Sequence, residues 1–201
     1  MVHTGRQKAC RNHRPKGKIF MGQYYRPVTK DKKGNITAYS RAVDGEYTMA
    51  KLTEHSWWDN PFVCTLTKKL LHNPMQVAWV GDYAEKDEFD AEERLCEYAW
   101  GDAVGEQGVT RDELRLDGKF LINHSLKIYL DCDAYKKRCF DKNGWTLHPL
   151  PLLTALGNGK GGGDYRGCNI NQVGSWCWDL ISVEDTPPEN YRAVEYTFID
   201  C

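Results

Sequence analysis

Short segments in which apolar and polar residues alternate recur along the chain, and this period of two is typical of β-strands. The segment MGQYYRPVTKDKKGNITAYSRA predicts two strands around a turn at Lys33-Gly34-Asn35, because glycine and asparagine tolerate a positive φ. A second hairpin is predicted by GKFLINHSLKIYLD, in which two apolar runs flank a short polar turn. A compact apolar run, QVAWVGDYA from Gln76, predicts a central strand.

Helical signals are strongest in the segment DNPFVCTLTKKLLHNP. Asn60 can cap a helix there, Pro61 suits its first turn, and Pro74 prevents its continuation. The acidic segment EKDEFDAEERLCEYAW has only a thin apolar stripe and predicts a mostly solvated helix. The segment HPLPLLTAL predicts one short helical turn between prolines.

The last third of the chain is predicted to return to strands after one loop. Cys132 to Trp145 is charged and predicts that loop. The segment GSWCWDLISVED predicts a strand with Trp176, Trp178 and Leu180 on one face. The segment AVEYTFID predicts a further alternating strand close to the end of the sequence.

Predicted strands outnumber predicted helices by about three to one and are mostly joined by short turns, which favours an α+β fold. We expect a largely antiparallel sheet of about five to seven strands with two or three helices. A length of 201 residues, 41% of them hydrophobic, suits a single domain. We expect that domain to span residues 21–201, after a basic extension at residues 1–20.

The charge is distributed unevenly along the chain. The first twenty residues hold six lysines and arginines and no acid, so the remainder, with twenty-one bases and twenty-eight acids, carries a formal charge of −7. This acidic body disfavours nucleic-acid binding except through the basic N-terminal arm. The extension lacks the apolar stretch of a secretory signal, so we expect a cytoplasmic location. Two alternatives stay open for residues 1–20, a disordered extension or a segment upstream of a true start at Met21.

The eight cysteines include no Cys-x-x-Cys pair. The steps from Cys132 to Cys139 and from Cys168 to Cys177 are poor spacings for a zinc site. We therefore expect no metal site and, in a cytoplasm, reduced thiols with structural roles. A metal site and disulfide bonds are the less favoured alternatives.

The stretch HPLPLLTALGNGKGGGDYRG holds six glycines between Gly157 and Gly167. It includes a literal G-x-G-x-x-G, but no strand leads into it and no helix follows it, as a dinucleotide site requires. A P-loop is excluded because Lys160 is followed by glycine rather than serine or threonine. Two alternatives stay open, a flexible loop and an anion-binding nest of backbone amides.

The nest hypothesis defines a set of candidate ligand contacts. Lys160 and Arg166 would add positive charge at its edges. His55, His124 or His148, paired with an aspartate, could supply a base, although a lone histidine is more often structural. No spacing selects a nucleophile, so we assign no catalytic residue and predict no cofactor. The candidate ligand-binding residues are His55, Asp82, His148, Gly159, Lys160, Gly161, Gly162, Gly163, Asp164 and Arg166.

The acidic segment offers a different mode of binding, because its carboxylates could imitate a phosphate backbone and occupy a basic groove on another protein. Its candidate partner-binding residues are Glu88, Asp90, Glu92 and Glu93. A solvated helix face is the more frequent alternative for such a charge run. The tryptophans could include stacking platforms for a base, but the alternation around Trp176 and Trp178 favours the core.

Several of these segments together resemble a group of uncharacterised proteins from gut bacteria and their phages. The resemblance lies between Met21 and Val183, in MGQYY, EHSWW, AWVGDYA, FLINHSLKIYLD, HPLPLLTALGNGKGGGDYRG and VGSW. It implies that the domain starts at Met21. That group carries no established activity, so the resemblance implies no functional residue and no cofactor.

The sequence favours a non-enzymatic binding protein, such as an accessory protein of a phage or mobile element. One candidate partner is a host protein, for example a defence protein that it inhibits, met through the acidic face. The other is a small anionic ligand or nucleotide that the glycine loop sequesters. The alternative is an enzyme that acts on a phosphorylated or nucleotide substrate with a histidine base.

Overall fold

A mixed β-sheet organises the chain in the computed structural model, which describes residues 22–42, 51–84, 107–109, 116–139 and 146–198. Within these ranges there are nine strands: β1 (Tyr25–Lys30), β2 (Ile36–Ala42), β3 (Met75–Gly81), β4 (Gln107–Val109), β5 (Phe120–Asn123), β6 (Ile128–Asp131), β7 (Ala155–Leu156), β8 (Leu180–Glu184) and β9 (Arg192–Ala193). The four α-helices of the same ranges are α1 (Leu52–His55), α2 (Pro61–Leu70), α3 (Cys132–Cys139) and α4 (Pro149–Leu153).

The strands lie in the order β4-β2-β1-β3-β8-β5-β6-β9, and β7 pairs with β3 beside β8. Five of the pairings are antiparallel and three are parallel. The predicted α+β class with a largely antiparallel sheet is therefore confirmed. The nine strands exceed the expected five to seven, because three very short strands add to the count. These are β4, β7 and β9, each of two or three residues.

Four elements form where local signals predicted them. The turn between β1 and β2 has Gly34 at a φ of +84°, and β5 pairs with β6 as the second hairpin. Helix α2 begins at Pro61, and the Asn60 side chain caps it by accepting a hydrogen bond from Phe62 N at 2.9 Å. Strand β3 is central, with β1 on one side and β7 and β8 on the other.

Helix α3 corrects the prediction of a loop after Cys132. Two helix signals are present in and next to this charged segment. The Asp131 carboxylate accepts a hydrogen bond from Ala134 N at 2.9 Å and so caps the first turn. Cys132, Tyr135 and Cys139 fall on one buried face at helical spacing.

The predicted strand at GSWCWDLISVED forms only in its second half, as β8. Trp178 has a φ of +62°, which a strand cannot continue through, and Trp176 and Trp178 belong to different apolar clusters. The predicted final strand is also shorter than expected, since only Arg192 and Ala193 pair with β6. Phe198 is fully buried there without being part of a strand.

The core occupies the two faces of the sheet unequally. Successive residues of a strand point to opposite faces, so Trp79 and Ala78 belong to different clusters. The larger cluster packs β3 and its neighbours against α2, α3 and α4. The smaller one is built from Val28, Ala38, Ala78 and Val80. Burial of the apolar area in the larger cluster is the main stabilising contribution.

The cysteines differ in state. Cys64, Cys132, Cys139 and Cys177 have reduced thiols, whereas Cys168 is disulfide-bonded, so the expectation of reduced thiols is wrong for Cys168. Burial raises the pKa of the Cys132 thiol to about 12, which leaves it inert as a nucleophile. In the part of the chain that the structure describes, no group of three or more histidine, cysteine or carboxylate side chains could hold a metal ion.

Two predicted segments lie outside the described residues. These are the basic extension at residues 1–20 and the acidic segment with Glu88, Asp90, Glu92 and Glu93. The proposed start at Met21 and the proposed acidic face stay predictions. None of the helices within the described ranges is long and apolar enough to cross a membrane.

Candidate functional site

The glycine loop, residues 157–163, closes on a carboxylate of its own chain. The backbone amides of Gly159 and Gly161 both donate to Asp164 Oδ2 at 2.8 Å. The Tyr25 hydroxyl donates to Asp164 Oδ1 at 2.7 Å. The loop amides therefore do converge on an anion, as a nest does, but the anion is Asp164.

Further hydrogen bonds tie the glycine loop to its neighbours. Gln23 N donates to Gly162 O at 2.8 Å, and Thr53 donates to Gly163 O through both its backbone amide and its hydroxyl. The Asn158 side chain bonds to both the amide and the carbonyl of Tyr165. These contacts fix the loop against the chain before β1 and against α1.

Packing around Gln23 explains why the sequence needs glycine at several positions here. A Cβ at Gly81 would overlap the Gln23 amide, and a Cβ at Gly161 would overlap the Gln23 Cβ. A Cβ at Gly157 would lie 2.9 Å from Gln23 Nε2. Gln23 is fully buried, and its side-chain amide has no hydrogen-bond partner among the described residues. The glycine run is thus required by close packing as well as by the turn.

Asp82 is another candidate residue close enough to this carboxylate to feel its charge. It follows β3, and its Oδ1 accepts a hydrogen bond from Tyr24 N at 3.1 Å. Partial burial raises the pKa of Asp82, and the negative charge of Asp164 raises it further. A second anion at this position would meet two carboxylates.

His55 lies on α1, the helix that contacts the glycine loop through Thr53. Its Nδ1 accepts a hydrogen bond from Lys51 N at 2.9 Å, and its ring packs against Trp57. Partial burial lowers the pKa of His55. One of its two ring nitrogens is therefore engaged by the backbone of its own helix.

His148 is the N-cap of α4 and has no access to solvent. Its Nδ1 accepts a hydrogen bond from Leu150 N at 3.1 Å, and its ring lies 4.3 Å from that of Trp58. Burial lowers the pKa of His148 to about 3, and the nearby Lys136 charge contributes to this shift. The structure gives this candidate a structural position and does not bring it to a ligand surface.

The remaining candidates lie at the edge of the glycine loop. Arg166 is exposed and Lys160 is half-buried. Gly162 and Gly163 present their carbonyl oxygens to Gln23 and Thr53, so these two carbonyls serve the fold.

A second polar region, the lysine groove, was not predicted from the sequence. It is a cavity of about 480 Å³ lined by Lys30, Asp31, Lys32, Lys33, Gly34, Gln76 and Leu180. Lys30 pairs with Gln76, and Gln76 pairs with Leu180, so the three residues form one row across β1, β3 and β8. Directly paired residues share a face of the sheet, which places their side chains on the same side.

The turn between β1 and β2 supplies the other lysines of the groove and its one carboxylate. Asp31 Oδ1 accepts hydrogen bonds from Lys33 N and Asn35 N, and its Oδ2 accepts one from Asn35 Nδ2, each at 2.8 Å. The Asn35 side chain is the main cause of the lowered pKa of Asp31. The lining thus holds three lysines and one carboxylate, and that carboxylate is hydrogen-bonded within the turn.

The backbone of His124 contacts the lysine groove through Leu180. His124 N donates to Leu180 O at 2.8 Å, and Leu180 N donates to Ser125 Oγ at 2.9 Å. The hairpin turn after β5 is thereby held against a residue that lines the groove. The positive charge of Lys32 opposes protonation of His124.

The sequence did contain one signal for the groove, the run Lys30-Asp31-Lys32-Lys33. By itself, that run predicts only a hairpin turn. Gln76 and Leu180 join these lysines through sheet pairing between segments that are distant along the chain, which no local pattern reveals.

Comparison with known proteins adds nothing to this geometry, since no family model, curated protein or solved structure matches the chain.

Proposed function

We propose that this protein is a non-enzymatic binding protein that holds a small anionic ligand in the lysine groove. The observation that carries the proposal is a cavity of about 480 Å³ lined by three lysines, Lys30, Lys32 and Lys33. Sites for small molecules occupy roughly 300–1,000 Å³, so a nucleotide or a molecule of similar size has room there.

The lysine groove suits an external anion better than the glycine loop does. An anion that entered the loop would have to displace the Asp164 carboxylate from two amides and the Tyr25 hydroxyl. It would also meet the charge of Asp82. In the groove, the single carboxylate already accepts three hydrogen bonds from its own turn.

The chemistry of the lining supports binding without turnover. Lysine ammonium groups are compact point charges that suit phosphate, sulfate or carboxylate oxygens. Leu180 offers an apolar surface, and Gln76 donates its amide hydrogen to Trp178 O at 3.0 Å, which fixes its orientation. The lining supplies cations and an apolar surface, and it contains no serine, cysteine or histidine that could act as a nucleophile.

Native mass spectrometry of the full purified chain tests the proposal directly. We expect an anionic small molecule bound in stoichiometric amount and released unchanged when the protein is denatured. Conversion of the released molecule into a product on prolonged incubation would contradict a non-enzymatic role.

A matched pair of triple variants locates the ligand. K30Q/K32Q/K33Q removes three charges from the groove, whereas K68Q/K69Q/K137Q removes three exposed charges from α2 and α3. We expect the first variant to lose the ligand and the second to retain it. Retention by both would place the ligand elsewhere.

A further inference from the structure

His124 is placed so that an anion bound in the lysine groove can affect its protonation. Side chains alternate along β8, so Leu180, Ser182 and Glu184 share one face of the sheet. His124 Nε2 lies 2.8 Å from Ser182 Oγ, which places the imidazole on that same face, beside Leu180 of the groove.

A hydrogen-bond chain defines the protonation state of the His124 ring. The Ser182 hydroxyl donates to Glu184 Oε1 at 2.6 Å. Ser182 Oγ therefore accepts from His124 Nε2–H, and the neutral ring carries its proton on Nε2. Nδ1 is left without a proton and accepts from the Tyr191 hydroxyl at 3.2 Å. Nδ1 is the nitrogen that a second proton would take.

Charges of both signs face this ring. Glu184 on β8 favours the imidazolium form, and Lys32 from the turn between β1 and β2 opposes it. The other groups against the ring are Ser182 on β8 and Tyr191 from the segment before β9, both neutral near pH 7. Partial burial and the Lys32 charge together lower the pKa of His124.

We propose that anion binding in the lysine groove is coupled to proton uptake by His124, so that the ligand binds more tightly as the pH falls. This inference rests on the proposed function, because it assigns a regulation to the same groove. A bound anion offsets the positive charge of Lys32, which is the charge that opposes the imidazolium form. By linkage, a protonated His124 must raise the affinity for the anion by the same factor.

The proton has a defined route and an acceptor. It passes from solvent to His124 Nδ1, and the Tyr191 hydroxyl turns from donor to acceptor to keep its hydrogen bond. Nε2 continues to donate to Ser182, and the new positive charge faces Glu184 through that hydroxyl. No covalent bond between two heavy atoms forms or breaks in this change.

The experiment uses calorimetric titration of the full chain with naphthalene trisulfonate, whose sulfonates stay ionised across the pH range used. We expect the affinity to rise by about five-fold between about pH 7.5 and about pH 5.5, with net proton uptake on binding. His124→Gln should abolish both effects. The matched control is His72→Gln, which removes an exposed histidine at 2.8 Å from the same Glu184 and should preserve both effects.

Lys32→Gln provides a readout that leaves His124 and its hydrogen bonds in place. We expect weaker binding with little pH dependence, because the charge that transmits the coupling is gone. If the affinity of His124→Gln or of Lys32→Gln still rises as the pH falls, as in the wild type, the coupling is overturned. Binding that K30Q/K32Q/K33Q weakens but that is equally tight at both pH values would also overturn it, while leaving the proposed function intact. Absence of trisulfonate binding at every pH would overturn the coupling and the groove together.

Discussion

Asp164 illustrates how a residue with the right chemistry for a ligand site can serve the fold instead. Its two carboxylate oxygens satisfy two loop amides and one tyrosine hydroxyl, all in a nearly dry environment. Charge-assisted hydrogen bonds of this kind are about twice as strong as neutral ones. The residue therefore stabilises the glycine loop in the conformation that surrounds Gln23.

Replacement of Asp164 should destabilise the protein in proportion to the bonds lost. Asp164→Ala leaves three donors without their acceptor, and we expect a loss of about 3 kcal/mol in the free energy of unfolding, measured in urea. Asp164→Asn keeps one acceptor oxygen and should lose less. Asp117→Ala, at an exposed carboxylate paired with Lys136, should change stability by less than about 1 kcal/mol. An Asp164→Ala protein as stable as the wild type would contradict this role.

His148 gives the fold a dependence on pH whose sign follows from its burial. Its pKa is about 3 in the folded protein against 6.5 for an unperturbed histidine, so the unfolded chain takes up a proton first as the pH falls. Stability is complete above about pH 6.5 and decreases below it by about 1.4 kcal/mol per pH unit, down to the folded pKa.

His148→Asn tests that dependence, because asparagine can still accept the hydrogen bond from Leu150 N but does not titrate. Urea unfolding between about pH 6.5 and pH 5, above most carboxylate titrations, should show a flatter slope for this variant than for the wild type. Equal slopes for His148→Asn and the wild type would remove His148 as the cause.

Secondary-structure elements were predictable where the signal was local. The Lys33-Gly34-Asn35 turn and the Asn60-Pro61 start of α2 need only a few neighbouring residues to form, and both appear as predicted. Helix α3 was missed because its buried face, carried by cysteines and Tyr135, is masked by charged neighbours. The strand predicted through Trp178 failed because tertiary packing imposes a positive φ on that residue.

The glycine loop makes a prediction at the scale of the element. Gly81→Ala and Gly161→Ala both place a Cβ against Gln23, and each should cost about 1–3 kcal/mol of stability by overpacking. The clash at Gly81 is with the Gln23 amide, so adding Gln23→Ala should recover part of that loss. The clash at Gly161 is with the Gln23 Cβ and backbone, so the same addition should not relieve it. Equal recovery in the two urea-unfolding cycles would show that the loop does not pack on Gln23 in this way.

Across the whole molecule, the sheet pairs strands that are far apart in the sequence. Local sequence patterns do not show such pairings, so they limit how much of the site the sequence can predict. The sequence placed Asp82, Asp164 and the glycines in one candidate set, and the structure brings Asp82 near Asp164 and the loop. The sequence alone could not reveal the row of Lys30, Gln76 and Leu180, because that row exists only once β3 lies between β1 and β8. The burial of His148 also could not be predicted, because only the folded chain shows that its ring packs against Trp58. This burial removes His148 from the candidate ligand contacts.

The disulfide at Cys168 has a consequence for the chain as a whole. Among the described residues, four of the eight cysteines are reduced and one is disulfide-bonded, and the other three are Cys10, Cys96 and Cys201. Thiol titration of the denatured, unreduced protein should therefore find no more than six thiols. Peptide mapping without reductant should recover the peptide of Cys168 joined to a second cysteine, and a count of eight thiols would contradict the bond.

The central claim is that the lysine groove binds a small anion, and the affinity for tripolyphosphate tests it most directly. Calorimetric titration at low salt should show one site in the wild type and in K68Q/K69Q/K137Q, with affinities equal within about two-fold. K30Q/K32Q/K33Q should bind at least about ten-fold more weakly, because the charges that contact the ligand are gone. Equal weakening in both triple variants would mean that the anion responds only to net charge, and the groove would no longer be its site.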